Sequence, residues 1–366
     1  MRGIGANVAW VMVPALVLAA CGVDEPDDPG EPPAAEGGEE PPAEPEEPEE
    51  PVEPEDPADP EDQAAAEPEQ PAAPEEPREQ RRAAELPVPR TEVTGAVWDG
   101  RVVAVGGLDT DGAALSHVHF YDPVADAWDE GPELPAALHH TAVETLGERV
   151  YVVGGYAIQG GAWVAESAVW SLGPGEEQWR EEPPLTTPRG ALAVAATGSR
   201  LVAIGGVDPA GQVLDSTEVL EAGADAWESG PQLTTPREHL DATAVGDQVY
   251  AIAGRAGGFD TNRSSVEVLR DGAWGEAPSL QHSRGGIGAD TVDGMPCVTG
   301  GEEPAGTIAT VECLTGDGWE VVAQLEVARH GLVVAALDSE LHVVGGGREP
   351  GLSVSAVHEV VPITLP

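Results

Sequence analysis

"RVYVVGG", residues 149–155, reads as a short strand rich in β-branched residues that runs into two glycines. The phrase recurs as RVVAVGG at 101–107, RLVAIGG at 200–206, QVYAIAG at 248–254, PCVTGG at 296–301 and ELHVVGG at 340–346. From Gly106 through Gly154, Gly205, Ala253, Gly300 and Gly345 the steps are 48, 51, 48, 47 and 45 residues. A period of this length, filled with short strands and turn residues, points to stacked β-sheet units of the propeller kind.

Two further landmarks keep pace. Pairs four apart precede each first strand: Leu86/Arg90, Leu134/Leu138, Leu185/Arg189, Leu233/Arg237, Leu280/Arg284 and Leu325/Arg329. The second member always lies sixteen residues before the glycine pair. A tryptophan follows at Trp128, Trp179, Trp227, Trp274 and Trp319. Within one unit, GALAVAAT (190–197) gives a small-residue inner strand, RLVAIGG the second, DSTEVLEA (215–222) the third and DAWESG (225–230) the outer. Small inner strands suit sheets that converge on an axis. The Trp offers a flat surface to cover the neighbouring sheet.

These landmarks resemble the Kelch repeat over residues 83–366. The resemblance implies an all-β fold, a six-bladed β-propeller of four-stranded blades related to the galactose oxidase fold. Departures are Ala253 for the first glycine of the fourth unit, Leu138 for the second unit's Arg, and few tyrosines. The sixth unit stops without a Trp strand. Residues near 82–87 are therefore expected to complete the last blade and join the two chain ends, which removes a free sheet edge.

The N-terminus reads differently. Arg2 and an apolar run interrupted by Pro14 lead to Leu18-Ala19-Ala20-Cys21. This resembles a bacterial lipoprotein signal over residues 1–20, which implies lipidation of Cys21. An ordinary secretory signal is the alternative. Gly22, rather than Asp, favours the outer membrane or cell surface by the same analogy. Residues 21–82 form an acidic Pro/Glu-rich segment that lacks the apolar side chains to build a core and is expected to be a disordered linker. Acids outnumber bases 66 to 17, every base is arginine, and the net charge is −49. Nucleic acid is thereby excluded as a partner, and a membrane except through the lipid anchor. A monomer is expected. Cys297 and Cys313 lie on neighbouring strands in an exported chain, where a disulfide or two buried thiols are both open.

Antiparallel order puts the Arg positions and the loops after the glycines on one face. Arg90, Arg189, Arg237, Arg284 and Arg329 are expected to ring the channel mouth there. One role for them is holding carboxylates of a bound partner, as in some Kelch domains. The other is bracing loops and neighbouring acids. Tyr156, Trp163, Arg255, Phe259, Arg263 and Arg348 lie on the same loops as candidate contacts. His139 and His140 read as surface residues at a strand start, with no partner ligands placed by spacing. DTDG (109–112) reads as a turn rather than a calcium loop. No catalytic constellation, metal or cofactor is expected. The function expected is recognition of a protein, such as an acidic peptide, or of a glycan at the cell envelope. The alternatives are a carbohydrate-active propeller similar to the sialate mutarotases, with Glu238 and His239 as candidates for proton transfer, and a structural envelope protein.

Overall fold

The computed structural model describes residues 79–364. The expectations for Cys21, for residues 1–20 and for most of 21–82 lie outside the described residues. Six antiparallel sheets follow one another, each running from an inner to an outer strand. Blade 1 comprises Thr94–Trp98, Arg101–Val105, Val118–Asp122 and Ala127–Glu130. The inner strands of blades 2 to 6 are Ala142–Leu146, Ala193–Thr197, Asp241–Val245, Gly285–Val292 and Val333–Leu337. Each inner strand packs against the next, and blade 6 packs back onto blade 1, so the ring is closed. The architecture is the six-bladed all-β propeller, with no α-helix among the described residues.

Closure uses both chain ends. Blade 6 contains Val333–Leu337, Glu340–Val344 and His358–Pro362, and its outer strand is Arg81–Arg82. Arg81 lies opposite Val360 and Arg82 opposite Glu359. The pairing starts one residue earlier than the sequence suggests. It then continues through single bonds from the Ala83 and Leu86 N–H groups to the carbonyls of His358 and Ala356. Arg81 also grips Glu340 with both guanidinium nitrogens, at 2.6 and 3.0 Å.

The second strands are largely apolar beyond their first residue because both faces are covered. On Arg101–Val105, Val102 and Ala104 pack toward blade 6, while Val103 and Val105 pack toward blade 2. One hydrophobic cluster fills each of the six interfaces between blades. The outer-strand tryptophans also bind polar groups across those interfaces. The indoles of Trp179, Trp227, Trp274 and Trp319 donate to the carbonyls of Pro132, Pro183, Pro231 and Pro278 on the preceding blade, and Trp128 donates to Ala84. An aromatic plate with one donor suits such a seam, since it covers area and satisfies a carbonyl together.

The glycine pair has a specific task. The second residue of each pair, at 107, 155, 206, 254, 301 and 346, donates its N–H to the carbonyl of Leu138, Arg189, Arg237, Arg284, Arg329 or Arg90 on the next blade, at 2.8–3.0 Å. These second glycines have φ between 85° and 113°, a region closed to side chains. The first positions lie near the ordinary left-handed well, with Gly205 at 60° and Ala253 at 53°. An alanine can enter that well at a cost of about 1–2 kcal/mol, which is why the fourth unit tolerates Ala253.

Cys297 and Cys313 face each other on adjacent strands of blade 5 and form a disulfide. Of the two open readings, the structure takes the bonded one.

Candidate functional site

The five arginines do not line the channel mouth. Arg90, Arg189, Arg237, Arg284 and Arg329 are fully buried, each turned into its own blade. The Arg237 guanidinium donates to the carbonyls of Ala253 and Ser265, both at 3.0 Å, and to Glu267 at 2.6 Å. Glu218, Glu312 and Glu359 receive Arg189, Arg284 and Arg329 in the same way. Those carboxylates also cap the loop amides before the arginine, as Glu218 does for Thr186 and Thr187. Burial pushes all five guanidinium groups down, Arg90 to about 9 and Arg329 to about 10. The reason for this inward turn is the set of strand-end carbonyls with lone pairs left to fill, which a five-donor fork can satisfy. In blade 1, His119 takes the glutamate's place beside Arg90 at 3.1 Å. In blade 2 both partners change together. Leu138 replaces the arginine, and Trp170 stands at the register position of the glutamate.

The residues that do reach the axis lie two positions further on. Glu92, His140, Ala191, His239, Gly286 and Gly331 occupy equivalent places, all with φ between 50° and 71°. Their backbones form a circle of hydrogen bonds. The N–H groups of His140, Ala191, His239, Gly286 and Gly331 each bond the preceding blade's equivalent carbonyl at 2.8–3.3 Å, and Val93 N–H closes the circle onto Gly331. The axial channel opens inside this circle, lined by Glu92, His140 and His239. Deeper, it is lined by Thr94, Thr141, Leu192, Leu240 and Asp241.

His139 and His140 are therefore buried at the mouth, which corrects their reading as surface residues. Partners also surround them. His140 Nδ1 lies 2.6 Å from His139 Nδ1, and His140 Nε2 lies 3.1 Å from His239 Nε2 and 3.2 Å from the Glu92 carboxylate. His239 Nδ1 contacts Glu238, whose other oxygen lies 3.2 Å from Arg255. Arg255 continues to Glu302 at 2.8 Å, and His330 lies within 3.6 Å of both Glu92 and Glu302. Burial holds His139 and His140 down at about 3 and His239 well below its ordinary value, so the imidazoles are neutral.

The loop candidates divide in two. Tyr156 and Trp163 stand on a hairpin of blade 2, Tyr156–Gln159 with Ala162–Ala165, and stack with His139 and His140 at 4.6–5.8 Å. Tyr156 is buried against Gly190, whereas Trp163 keeps 46% of its surface exposed. Arg255 covers the Phe259 ring at 4.7 Å. Arg263 is half-buried and Arg348 exposed, and neither is joined to the histidine cluster. DTDG is a turn, in which Asp109 accepts the N–H groups of Asp111 and Ala113. Leu352 is a further exposed apolar side chain, at 56%, packed near Gly112.

The Kelch motif matches residues 89–135, from the first buried arginine to just past the outer strand of blade 1. The chain carries a Kelch motif in its first blade. It is 30% identical to beta-scruin of Limulus polyphemus over 34% of the chain, and 38% identical to human Kelch-like protein 34 over 29%. Those matches span only 14% and 17% of the two relatives. The solved structure of YjhT superposes with a TM-score of 0.68 at 14% identity, covering 77% of this chain and 97% of YjhT, a likeness of fold. The propeller differs in chemistry from blade to blade at its mouth, and of that cluster the sequence reading proposed roles for Glu238, His239 and Arg255 while reading His139 and His140 as surface residues. The signal for the rest was the residue two after each arginine position, which reads Glu, His, Ala, His, Gly, Gly around the ring.

Proposed function

We propose that this chain is a recognition module, carried at the bacterial cell envelope by a lipidated Cys21 and the acidic segment, and working through the mouth face of its propeller. Kelch propellers commonly serve protein interaction, and rigid scaffolds commonly bind through loops. The observation that carries the reading is Trp163, a half-exposed indole braced from behind by His139 and Tyr156 on the mouth hairpin. Large aromatics of this kind anchor interfaces. The five ring arginines are spent on the blades, so the contact residues of this reading are Trp163, Leu352, Phe259 and Arg348. No catalytic turnover is expected.

The test is binding of envelope extracts to the immobilised chain, compared among variants. Trp163→Ala with Leu352→Ser should lose the bound partners. Val124→Ser, an exposed site on a turn at the opposite end of blade 1, should keep them. Equal capture by both would refute the mouth face as the surface. A second reading is a carbohydrate-active propeller, favoured by the contact of Glu238 with His239 beside Arg255. An NMR assay of sugar-acid anomerisation separates the two, because a binding module gives no rate increase.

A further inference from the structure

We propose that Glu92, His140 and His239 form a site for one divalent transition ion of the zinc class at the mouth of the channel. This goes beyond the recognition reading and does not depend on it. The three residues come from blades 1, 2 and 4, and sequence distance hides their meeting. Their ligand atoms all lie within 4.8 Å of one another. Two of the three separations, 3.1 and 3.2 Å, are close to the edge of a tetrahedron with bonds of about 2.0–2.1 Å, which is about 3.3 Å.

Proton placement points the same way. Glu238 faces His239 Nδ1 with one oxygen and Arg255 with the other, an arrangement in which Nδ1 donates to the carboxylate. His239 Nε2 is then a lone pair aimed at His140 Nε2 and Glu92. A carboxylate behind a histidine is the usual support of a metal-bound imidazole, because it fixes the tautomer and strengthens the donor. Charge agrees as well. Three carboxylates, Glu92, Glu238 and Glu302, gather here with Arg255 and the imidazoles of His139, His140, His239 and His330. One guanidinium stands against these three carboxylates, and a divalent ion between Glu92 and the two imidazoles supplies further positive charge. Two imidazoles with one carboxylate select zinc-class ions over calcium and magnesium, which prefer oxygen cages. The equivalent positions on blades 3, 5 and 6 are Ala191, Gly286 and Gly331, which leave the fourth ligand place open toward the channel. Water or an anionic group of a bound molecule would fill it.

The experiment uses the full chain without a histidine tag. Co²⁺ is titrated and its visible bands recorded, then Zn²⁺ is used to displace it. One equivalent of Co²⁺ should give the intense bands of a four-coordinate nitrogen–oxygen site, and one equivalent of Zn²⁺ should remove them. The acidic segment can bind ions only through oxygens and gives no such bands. His140→Ala and His239→Ala should each abolish the bands. Glu238→Gln should weaken binding by about 10–100-fold. His282→Ala, half-exposed on the approach to blade 5, should change nothing. If the histidine variants fail to fold, Glu92→Gln and Glu238→Gln decide the matter by the same titration. Absence of the bands in the parent chain, their survival in both histidine variants, or displacement by Ca²⁺ as effective as by Zn²⁺ would overturn the proposal.

Discussion

Replacing Arg237 by Leu probes the internal brace of one blade. Its guanidinium is fully buried and bonds Glu267, the carbonyls of Ala253 and Ser265, and the Ser265 hydroxyl. Glu267 is itself 3% exposed and would keep the hydrogen bond from the Thr234 N–H once the arginine is gone. Removing one partner of a buried pair typically costs about 3–5 kcal/mol, because the other charge stays buried. The double variant Arg237→Leu/Glu267→Leu removes both charges together. Its cost should fall short of the sum of the two single variants by about 2–3 kcal/mol. Blade 2 supports this arithmetic, since Leu138 and Trp170 stand where the pair would be and the blade still closes. Equilibrium urea unfolding, followed by tryptophan fluorescence and far-UV circular dichroism, measures the cycle if the two probes coincide. A single-variant cost below about 1 kcal/mol, or additive costs within about 0.5 kcal/mol, would refute the bracing role.

Reduction of Cys297–Cys313, or Cys297→Ser with Cys313→Ser, should lower stability by about 3 kcal/mol from loop entropy over its separation of 16 residues, read by the shift of the urea midpoint. Gly206→Ala should lower stability in the same assay, because its φ of 94° lies outside the left-handed well and an added Cβ would lie 2.8 Å from the Gly190 carbonyl oxygen. Stability should peak near pH 6–6.5. Burial raises Glu144 to about 8 and Asp290 to about 6, so both favour the folded state at low pH and lose that effect as pH rises through those values. Burial lowers His119 and His342 to about 4 and His358 to about 3, so their contribution is present above pH about 6.5 and lost as pH falls through those values. Each net proton contributes about 1.4 kcal/mol per pH unit, and a melting temperature that rises steadily from pH 6.5 to 8 would refute this balance.

The repeat was legible because a strand buried on both faces, a left-handed turn and a seam-covering Trp each demand particular residues at fixed spacing. The closing strand was legible because the sixth unit lacks its Trp strand while a matching Leu86/Arg90 pair precedes the first. The direction of the arginines was not legible from their own spacing, which is compatible with a mouth and with a brace. A second spacing held the answer: Arg189, Arg237, Arg284 and Arg329 are each followed 28–30 residues later by Glu218, Glu267, Glu312 or Glu359. The unit that lacks the arginine lacks the glutamate too. His139 and His140 were misread as surface residues at a strand start because no partner ligand lies near them in the sequence. The left-handed bend at His140 instead turns the ring residues toward an axis that is visible only once all six units are superposed.

The mouth shows how a symmetric ring acquires an asymmetric site. The backbone circle repeats in every blade, and it holds each equivalent residue in a left-handed bend that costs about 1–2 kcal/mol for a non-glycine. Alanine and glycine at blades 3, 5 and 6 add no polar side chain. Gly331 has a further reason to be small: a Cβ there would lie 2.8 Å from the Glu92 carboxyl carbon. The room left by Gly331 is the room that Glu92 occupies as it approaches His140. Filling it should therefore act on both the site and the fold, since a Cβ would also lie 2.8 Å from the Glu92 backbone nitrogen. Gly331→Ala, at a φ of 57°, keeps an allowed backbone yet displaces Glu92 from His140. The expected result is a loss of stability by urea unfolding beyond the about 1–2 kcal/mol of the left-handed bend, because backbone must also shift, together with a loss of Co²⁺ affinity. A loss of stability with unchanged Co²⁺ binding would show that the carboxylate is not part of the site.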